Sequence, residues 1–476
     1  MSARVAVVGG GLAGLAAAYR LQRLGADPLV LEASPGFGGK VRTERVEGLV
    51  LEEGPDSFLV RKPEVIELCQ ELGISGELVP LPPGGSGSAI FSRGRLHPIP
   101  PGLMLGLPTE VGPILRSGLL SAGGKLRAAW DLVAPPERCS GDEPLGRLVA
   151  HRMGTQVLDR LVAPLLTGIY AGDPWSMSTE ATFPQLLEIA RADGSLVRGA
   201  RRLRRRAPRG APPGPMFMTL RTGLAAVVEA LTAALPASAL RAESAVAEIR
   251  RDERGYVLHV AGGEEIQADG VLLAVPAPVA GVLLRELAPE AALELFAVPY
   301  ASLAVVQLAF QPQDVPQPLK GSGFLVDRAA GLSITACTYV VNKWPHESQG
   351  AVLLRCYLGR AGQDPLGVPD AQMLEAVRRD LRTVLGIRKE PFLQRVYRWP
   401  QSMPQYIVGH LARMAGVQRR IAEHPALALA GAAYQGVGMP DVVRQGYRAA
   451  LGVARDLGLA REDEEEGYLR STQRNG

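Results

Sequence analysis

The sequence predicts an α/β fold that opens on a parallel sheet, and three observations carry this. Arg4–Val8 is a short apolar run, residues 12–24 switch at once to helical spacing, and residues 28–31 return to an apolar run. A parallel strand pair needs a crossover, so strand, helix and strand in immediate succession open a parallel sheet. At 476 residues the chain also exceeds what one hydrophobic core serves, so two or three interlocked domains are expected.

The later elements follow from the same patterns. Residues 81–88, rich in Pro, Gly and Ser, mark a boundary or exposed loop. From about 108 to 203, apolar residues recur at three- and four-residue spacing and predict mainly helix. A basic segment overlaps the end of this region, with Arg198, Arg201, Arg202, Arg204, Arg205, Arg206 and Arg209, before Pro212, Pro213 and Pro215. Its prolines and lack of interleaved aromatics favour a solvated loop over a nucleic-acid or membrane surface. Residues 223–235 read as helix, and 256–261 and 271–275 as strands. Tyr300–Phe310, 331–341 and 351–358 read as antiparallel strands, and 371–385 as a helix. The chain closes on a strand at 426–430, a glycine turn, a helix over 441–457 and an acidic run at 462–466 that reads as a solvated tail.

Composition bounds the function. Hydrophobic residues are 47% and charged residues 21%, the profile of a folded chain. A net charge of +4 suits anionic small molecules or an anionic surface without demanding either. Cys69, Cys139, Cys337 and Cys356 show no CxxC spacing and read as buried, reduced thiols of a cytoplasmic protein. The six histidines lie far apart with no HxxxH or HExxH pair, so no metal site is expected. The N-terminus runs directly into a strand without a signal-peptide pattern. No stretch reaches the ~20 apolar residues of a membrane helix, and the sequence reads as soluble or at most peripheral.

The strongest motif is Gly9-Gly10-Gly11-Leu12-Ala13-Gly14, a GxGxxG directly after the first strand and at the start of its helix. Gly9 permits the tight turn, Gly11 lets the backbone approach a pyrophosphate, and Gly14 lets helix and strand pack closely. Glu32 ends the second strand, where a carboxylate accepts hydrogen bonds from ribose hydroxyls. Gly38-Gly39-Lys40 and Glu53-Gly54-Pro55-Asp56 add further turns. Far along the chain, the strand at 427–430 runs through small residues into Gly436-Val437-Gly438-Met439 at a helix start, suited to the anionic edge of a reduced flavin. A cofactor segment so distant in sequence favours FAD over NAD.

Specific motifs then resemble one family. These are residues 54–59 (GPDSFL), 166–173 (LTGIYAGD), Ser402-Met403-Pro404-Gln405-Tyr406 with Gly409-His410, and Gly436-Val437-Gly438-Met439-Pro440-Asp441. Residues 335–338 and 343–346 are most similar to its soluble Gram-positive bacterial branch. The chain resembles the oxygen-dependent protoporphyrinogen/coproporphyrinogen oxidases, within the amine-oxidase-like flavoproteins, over nearly its whole length. It departs from them mainly in the arginine-rich segment.

The resemblance implies a Rossmann-type FAD-binding domain with a mixed-sheet (α+β) substrate domain and a helical inserted domain. The FAD domain falls at 1–80, 216–290 and 415–460, and the substrate domain at 81–100 and 291–414. The helical domain falls at 101–215 with its basic loop at 198–215, and a tail at 461–476. Non-covalent FAD contacts fall at Gly9, Gly10, Gly11, Leu12, Ala13, Gly14, Glu32, Ala33, Lys40, Gly54, Pro55, Asp56 and Ser57, and at Val246, Trp399, Val437, Gly438 and Met439. Gly168 and Ile169 are placed beside the substrate ring, with Leu325 and Ile334 toward the cavity wall.

The implied reaction is a six-electron oxidation of coproporphyrinogen III, or of protoporphyrinogen IX, with oxygen taking the electrons as hydrogen peroxide. The cofactor carries the hard chemistry, consistent with the lack of a Ser, Cys or His constellation in the sequence. Arg61 and Lys62 are candidate cations for the substrate's propionates, and Tyr170 and Tyr406 for stacking on its ring or for core packing. Partners are the porphyrinogen and oxygen, not nucleic acid. Peripheral membrane contact and hand-over to the next haem-pathway enzyme are compatible with this reading. An amine oxidase, a carotenoid desaturase and a non-catalytic flavin-binding protein are the alternatives.

Overall fold

The expected strand, helix and strand are present as β1 (Arg4–Val8), α1 (Leu12–Arg23) and β2 (Asp27–Leu31). They come from a computed structural model that describes residues 2–83, 87–100, 103–104, 107–108, 111–135, 141–206 and 214–460. Cys139, positions 207–213 of the basic segment and the acidic run at 462–466 lie outside the described residues. The chain divides into two compact units. One comprises Met1–Leu81, Pro215–Pro299 and Ala412–Gly476, and the other Pro82–Gly214 and Tyr300–Leu411.

The first unit is built on a five-stranded parallel sheet in the order Leu240–Arg241, β2, β1, Gly270–Leu273, Leu427–Leu429. Val5, Ala6 and Val7 are fully buried, as are Val271, Leu272 and Leu273. A strand covered on both faces needs no polar alternation, so these read as plain apolar runs. The chain steps outward from β1 to β2 and Leu240–Arg241, then returns to the other side of β1. The strand order therefore reverses between β1 and Gly270–Leu273, and a crevice at the carboxyl ends is expected there.

Helix α1 is lined by small buried residues, Ala16, Ala17 and Ala18, so that the C-terminal helix Met439–Asp456 can approach it. A Cβ on Gly446 of that helix would lie 2.4 Å from the Ala13 carbonyl oxygen. This contact ties the middle of the C-terminal helix to the start of the first helix of the sheet.

The second unit is built on a seven-stranded mixed sheet. Its order is Leu393–Pro404, Tyr300–Phe310, Val352–Leu358, Ile334–Tyr339, Gly323–Val326, Ala89–Ser92, Arg95–Pro98. All neighbours are antiparallel except Gly323–Val326 with Ala89–Ser92. The helix Asp370–Leu385 buries Met373, Val377 and Leu381 among Phe310, Phe324 and Leu354 of this sheet. The helices between residues 111 and 206 belong to the same compact unit as the mixed sheet.

The basic segment is not a loop over 198–206, because Leu196–Arg206 is a helix. Leu196, Val197 and Ala200 share its buried face, and a Cβ on Gly199 would lie 2.2 Å from the Ile189 side chain of the adjoining helix. The buried carboxylate of Asp131 accepts from the Ser195 hydroxyl at 2.8 Å and the Val197 amide at 2.9 Å, fixing the first turn. An apolar stripe at helical spacing outweighs the charge density. Among the described residues no helix is long and apolar enough to cross a membrane.

Candidate functional site

The glycine loop lies at the carboxyl end of β1, where the sheet order reverses. Gly9 sits at φ +103, and a Cβ there would lie 2.6 Å from the Ala274 carbonyl oxygen at the end of the neighbouring strand. Gly14 is still tighter, since its Cβ would lie 2.0 Å from the Gly9 oxygen. These two glycines are required by the protein itself.

Gly11 differs. It is the N-cap of α1 at φ −73, with no side-chain cap, and a Cβ there would meet nothing nearer than Gly39 Cα at 3.9 Å. Neither strain nor packing calls for glycine at this position. A close-approaching ligand does, and the uncapped amides of a helix N-terminus suit a pyrophosphate.

Around this opening the chain gathers distant segments. The Gly38 amide donates to the Gly10 oxygen at 2.8 Å, bringing Gly38, Gly39 and Lys40 alongside the loop. The Glu32 carboxylate accepts from the Gly10 amide at 2.7 Å, and from the Ser34 amide and hydroxyl at 2.8 and 2.7 Å. A carboxylate has about four acceptor sites, so Glu32 is oriented with capacity left for a ribose hydroxyl. The Ser244 amide donates to the Glu32 carbonyl at 2.8 Å, which sets Val246 beside it, while Ala33 is exposed. Burial lowers Lys40 from 10.5 to about 8, and its ammonium has no carboxylate partner among the described residues. An unpaired cation next to an open glycine loop calls for an anion.

The second anchor is the start of the C-terminal helix. Gly436 turns at φ +111 and Gly438 is an N-cap without a side-chain cap, so Val437, Gly438 and Met439 present another helix N-terminus. Asp441 folds back under this turn, where a Cβ on Gly436 would lie 2.6 Å from its carboxyl carbon. Lys62 Nζ holds both Asp441 oxygens at 2.7 Å. Arg444 bridges Asp441 to the buried Glu64, which it meets at 2.6 Å. Lys62, a candidate for substrate carboxylates, thus directs its charge at Asp441, and Arg61 is exposed. Residues 54–57 link the strand Leu49–Glu52 to this region, with the Ser57 hydroxyl on Asp56 at 2.8 Å.

In the second unit, Gly168 and Ile169 are exposed at the end of the helix Ala163–Tyr170. A Cβ on Gly168 would lie 3.2 Å from Leu325 Cδ2, so these residues and Leu325 form one surface. Ile334 is 1% exposed and lies in the core. Tyr406, 1% exposed, stacks on His410 at 4.0 Å and is likewise core, while Tyr170 is half-buried 6.1 Å from it. Trp399 lies in this unit, on Leu393–Pro404 opposite Leu303. Sequence reasoning missed Ser34 and the Asp441 charge cluster. An S-x-G after an acid is a weak local signal for the former, and nothing local signals the latter.

A parallel sheet with an open glycine loop at its switch point, a half-buried lysine beside it with no carboxylate partner among the described residues and a second uncapped helix start define a dinucleotide-binding protein. Its family is more specific. The chain belongs to the flavin-containing amine oxidoreductases, whose sequence pattern it matches over residues 12–454, and it is an FAD-dependent oxidoreductase. It is 36% identical over 460 residues to the coproporphyrinogen III oxidase of Bacillus subtilis, covering 94% of this chain and 96% of that one. It is 30% identical over 484 residues to the chloroplastic protoporphyrinogen oxidase of Oryza sativa, covering 94% and 88%. The crystal structure of a proposed protoporphyrinogen oxidase from Exiguobacterium matches with a TM-score of 0.84 at 36% identity, covering 96% of this chain and 99% of that one.

Proposed function

We propose that this enzyme oxidises coproporphyrinogen III to coproporphyrin III in a six-electron reaction, with oxygen as acceptor and hydrogen peroxide as by-product. The near full-length likeness to a protein named for that substrate carries the reading, at 36% identity against 30% for the plant protein named for protoporphyrinogen. FAD, when bound, supplies the electron acceptor for each two-electron round.

The chain's own residues bind and orient. The α1 amides behind Gly11, together with Lys40, hold the pyrophosphate. Glu32, fixed by Gly10 and Ser34, takes the adenosine ribose. The helix start at Val437, Gly438 and Met439 would offer its amides to a polar edge of the isoalloxazine, and Lys62 and Arg444 neutralise Asp441 so that the amides' positive end is not cancelled. The described cysteines Cys69, Cys337 and Cys356 are buried in packed cores, which fits a cofactor held without a bond to any of these three. Gly168, Ile169 and Leu325 offer an apolar face to the macrocycle, and the missing side chain at Gly168 keeps that face flat.

The reading is tested by mixing flavin-loaded protein with coproporphyrinogen III without oxygen. Flavin absorbance should bleach within the mixing of substrate and recover on admitting air. A flavin that stays oxidised contradicts it.

A further inference from the structure

The apolar face formed by Gly168, Ile169 and Leu325 is bordered by two arginines that the sequence did not single out. The strands Gly323–Val326 and Val352–Leu358 both run antiparallel to Ile334–Tyr339, so their carboxyl ends emerge on the same edge, flanking Ile334. Arg328 follows the first of these strands by two residues, and Arg360 follows the second by two. A turn at Gly359, φ +92, starts the second excursion, and the Ala361 amide donates to the Ala171 carbonyl at 2.7 Å. That bond fastens the Arg360 turn to the chain just beyond Gly168 and Ile169.

Three arginines and three aspartates meet at this edge, yet the pairing leaves one guanidinium without a direct partner among the described residues. Arg328 donates through Nη1 to Asp173 at 2.9 Å and through Nη2 to the Gly172 carbonyl at 3.1 Å, while its Nε is buried without a partner. Arg360 is half-buried and its guanidinium has no hydrogen-bond partner among the described residues. Burial and the neighbouring Arg328 both lower its pKa, and Asp173 offsets this only in part. The nearby Asp327 is taken up by the Ser92 hydroxyl and the Ala329 amide, and Asp159 lies beside Arg160 and Arg328. A partly desolvated guanidinium with five unused donors beside a second arginine carries a cost that an anion would relieve.

We propose that Arg360, supported by Arg328, forms a carboxylate-binding subsite that takes a propionate arm of the tetrapyrrole whose ring lies on the Gly168, Ile169 and Leu325 face. A planar carboxylate meets a guanidinium in a two-bond fork, which fixes the ring's orientation as well as its affinity. The proposal rests on the porphyrinogen reading above.

The test is steady-state turnover of coproporphyrinogen III by the flavin-loaded wild type, Arg360→Met and Arg360→Lys, with FAD content and melting temperature measured on each. A charge-assisted pair accounts for roughly tenfold or more in binding. Arg360→Met should raise KM at least about tenfold with kcat within about twofold, FAD content unchanged, and Arg360→Lys should fall between. Should Arg360→Met fail to fold, Arg360→Lys alone decides, since a lysine keeps the charge but loses the fork. An unchanged KM in the folded variants, with the wild type active, overturns the subsite and leaves the porphyrinogen reading standing. A wild type that turns over no porphyrinogen overturns both.

Discussion

Lys62 and Asp441, 379 residues apart, form a two-point ion pair at 2.7 Å to each carboxylate oxygen beneath the N-terminus of the C-terminal helix. Asp441 is 8% exposed at the side chain and Lys62 is 33% exposed, so the pair is half-screened rather than fully dry. Removing Lys62 leaves a nearly buried carboxylate with Arg444 as its remaining cation, which should cost about 1–2 kcal/mol, below the value for a fully buried pair. Lys62→Met is therefore expected to lower the melting temperature and weaken FAD binding to the apoprotein, with KM for the porphyrinogen unchanged. Adding Asp441→Asn should recover most of the loss. A raised KM at unchanged FAD affinity would return Lys62 to the substrate.

Lys40 gives the cradle a pH dependence with a definite sign. Its folded, cofactor-free pKa is depressed to about 8 from 10.5, so its stability contribution is present above 10.5 and lost as pH falls through 8. A pyrophosphate favours the charged form. FAD affinity for the apoprotein should therefore fall as pH rises above 8, by at most roughly tenfold per unit. Lys40→Met should bind FAD more weakly and lose this dependence, as read by quenching of flavin fluorescence across pH 7 to 10. A parallel slope in the variant would remove Lys40 from the phosphate site.

Two glycines of the same motif, Gly11 and Gly14, should behave differently. Gly11→Val has room on the protein side and an ordinary φ, so it should fold with native circular dichroism yet purify without flavin. Gly14→Val drives a side chain into the Gly9 carbonyl and should fail to fold. A yellow Gly11→Val protein would contradict the cradle.

The described cysteines should be inert. Burial raises Cys69 to about 12. Burial also raises Cys337, whose sulfur lies 3.7 Å from that of the buried Cys356 across paired strands, well above the usual thiol range. In a Cys139→Ser background, a thiol reagent at pH 8 should find almost no native titre and the full three after denaturation. For Cys69, the stability held below pH 9 is lost as pH rises from there through about 12. Rapid native labelling would show that these cores open.

Local physics was legible in the sequence and long-range pairing was not. The strand, helix and strand around Gly9–Gly14 fall within a residue of expectation because a buried parallel strand and an alternating helix stripe are written in consecutive residues. The roles of Gly9 and Gly14 were legible for the same reason, since one turn decides them. The strand Leu240–Arg241 is two residues long and carries no pattern. At 196–206 a count of charges hid the stripe of Leu196, Val197 and Ala200 that makes the segment a helix. Lys62 was read by its neighbours in sequence, whereas its ion-pair partner Asp441 lies 379 residues away. Arg328 and Arg360 come together only through the pairing of three strands, which no local pattern encodes.

The most direct test of the central claim is aerobic turnover of the purified, flavin-loaded protein with coproporphyrinogen III and protoporphyrinogen IX side by side, read by porphyrin fluorescence and hydrogen peroxide. The account predicts three peroxides per porphyrin formed and a higher kcat/KM for coproporphyrinogen III. A higher kcat/KM for protoporphyrinogen IX would contradict the substrate assignment, and bound FAD with no turnover of either would contradict the porphyrinogen oxidase reading itself.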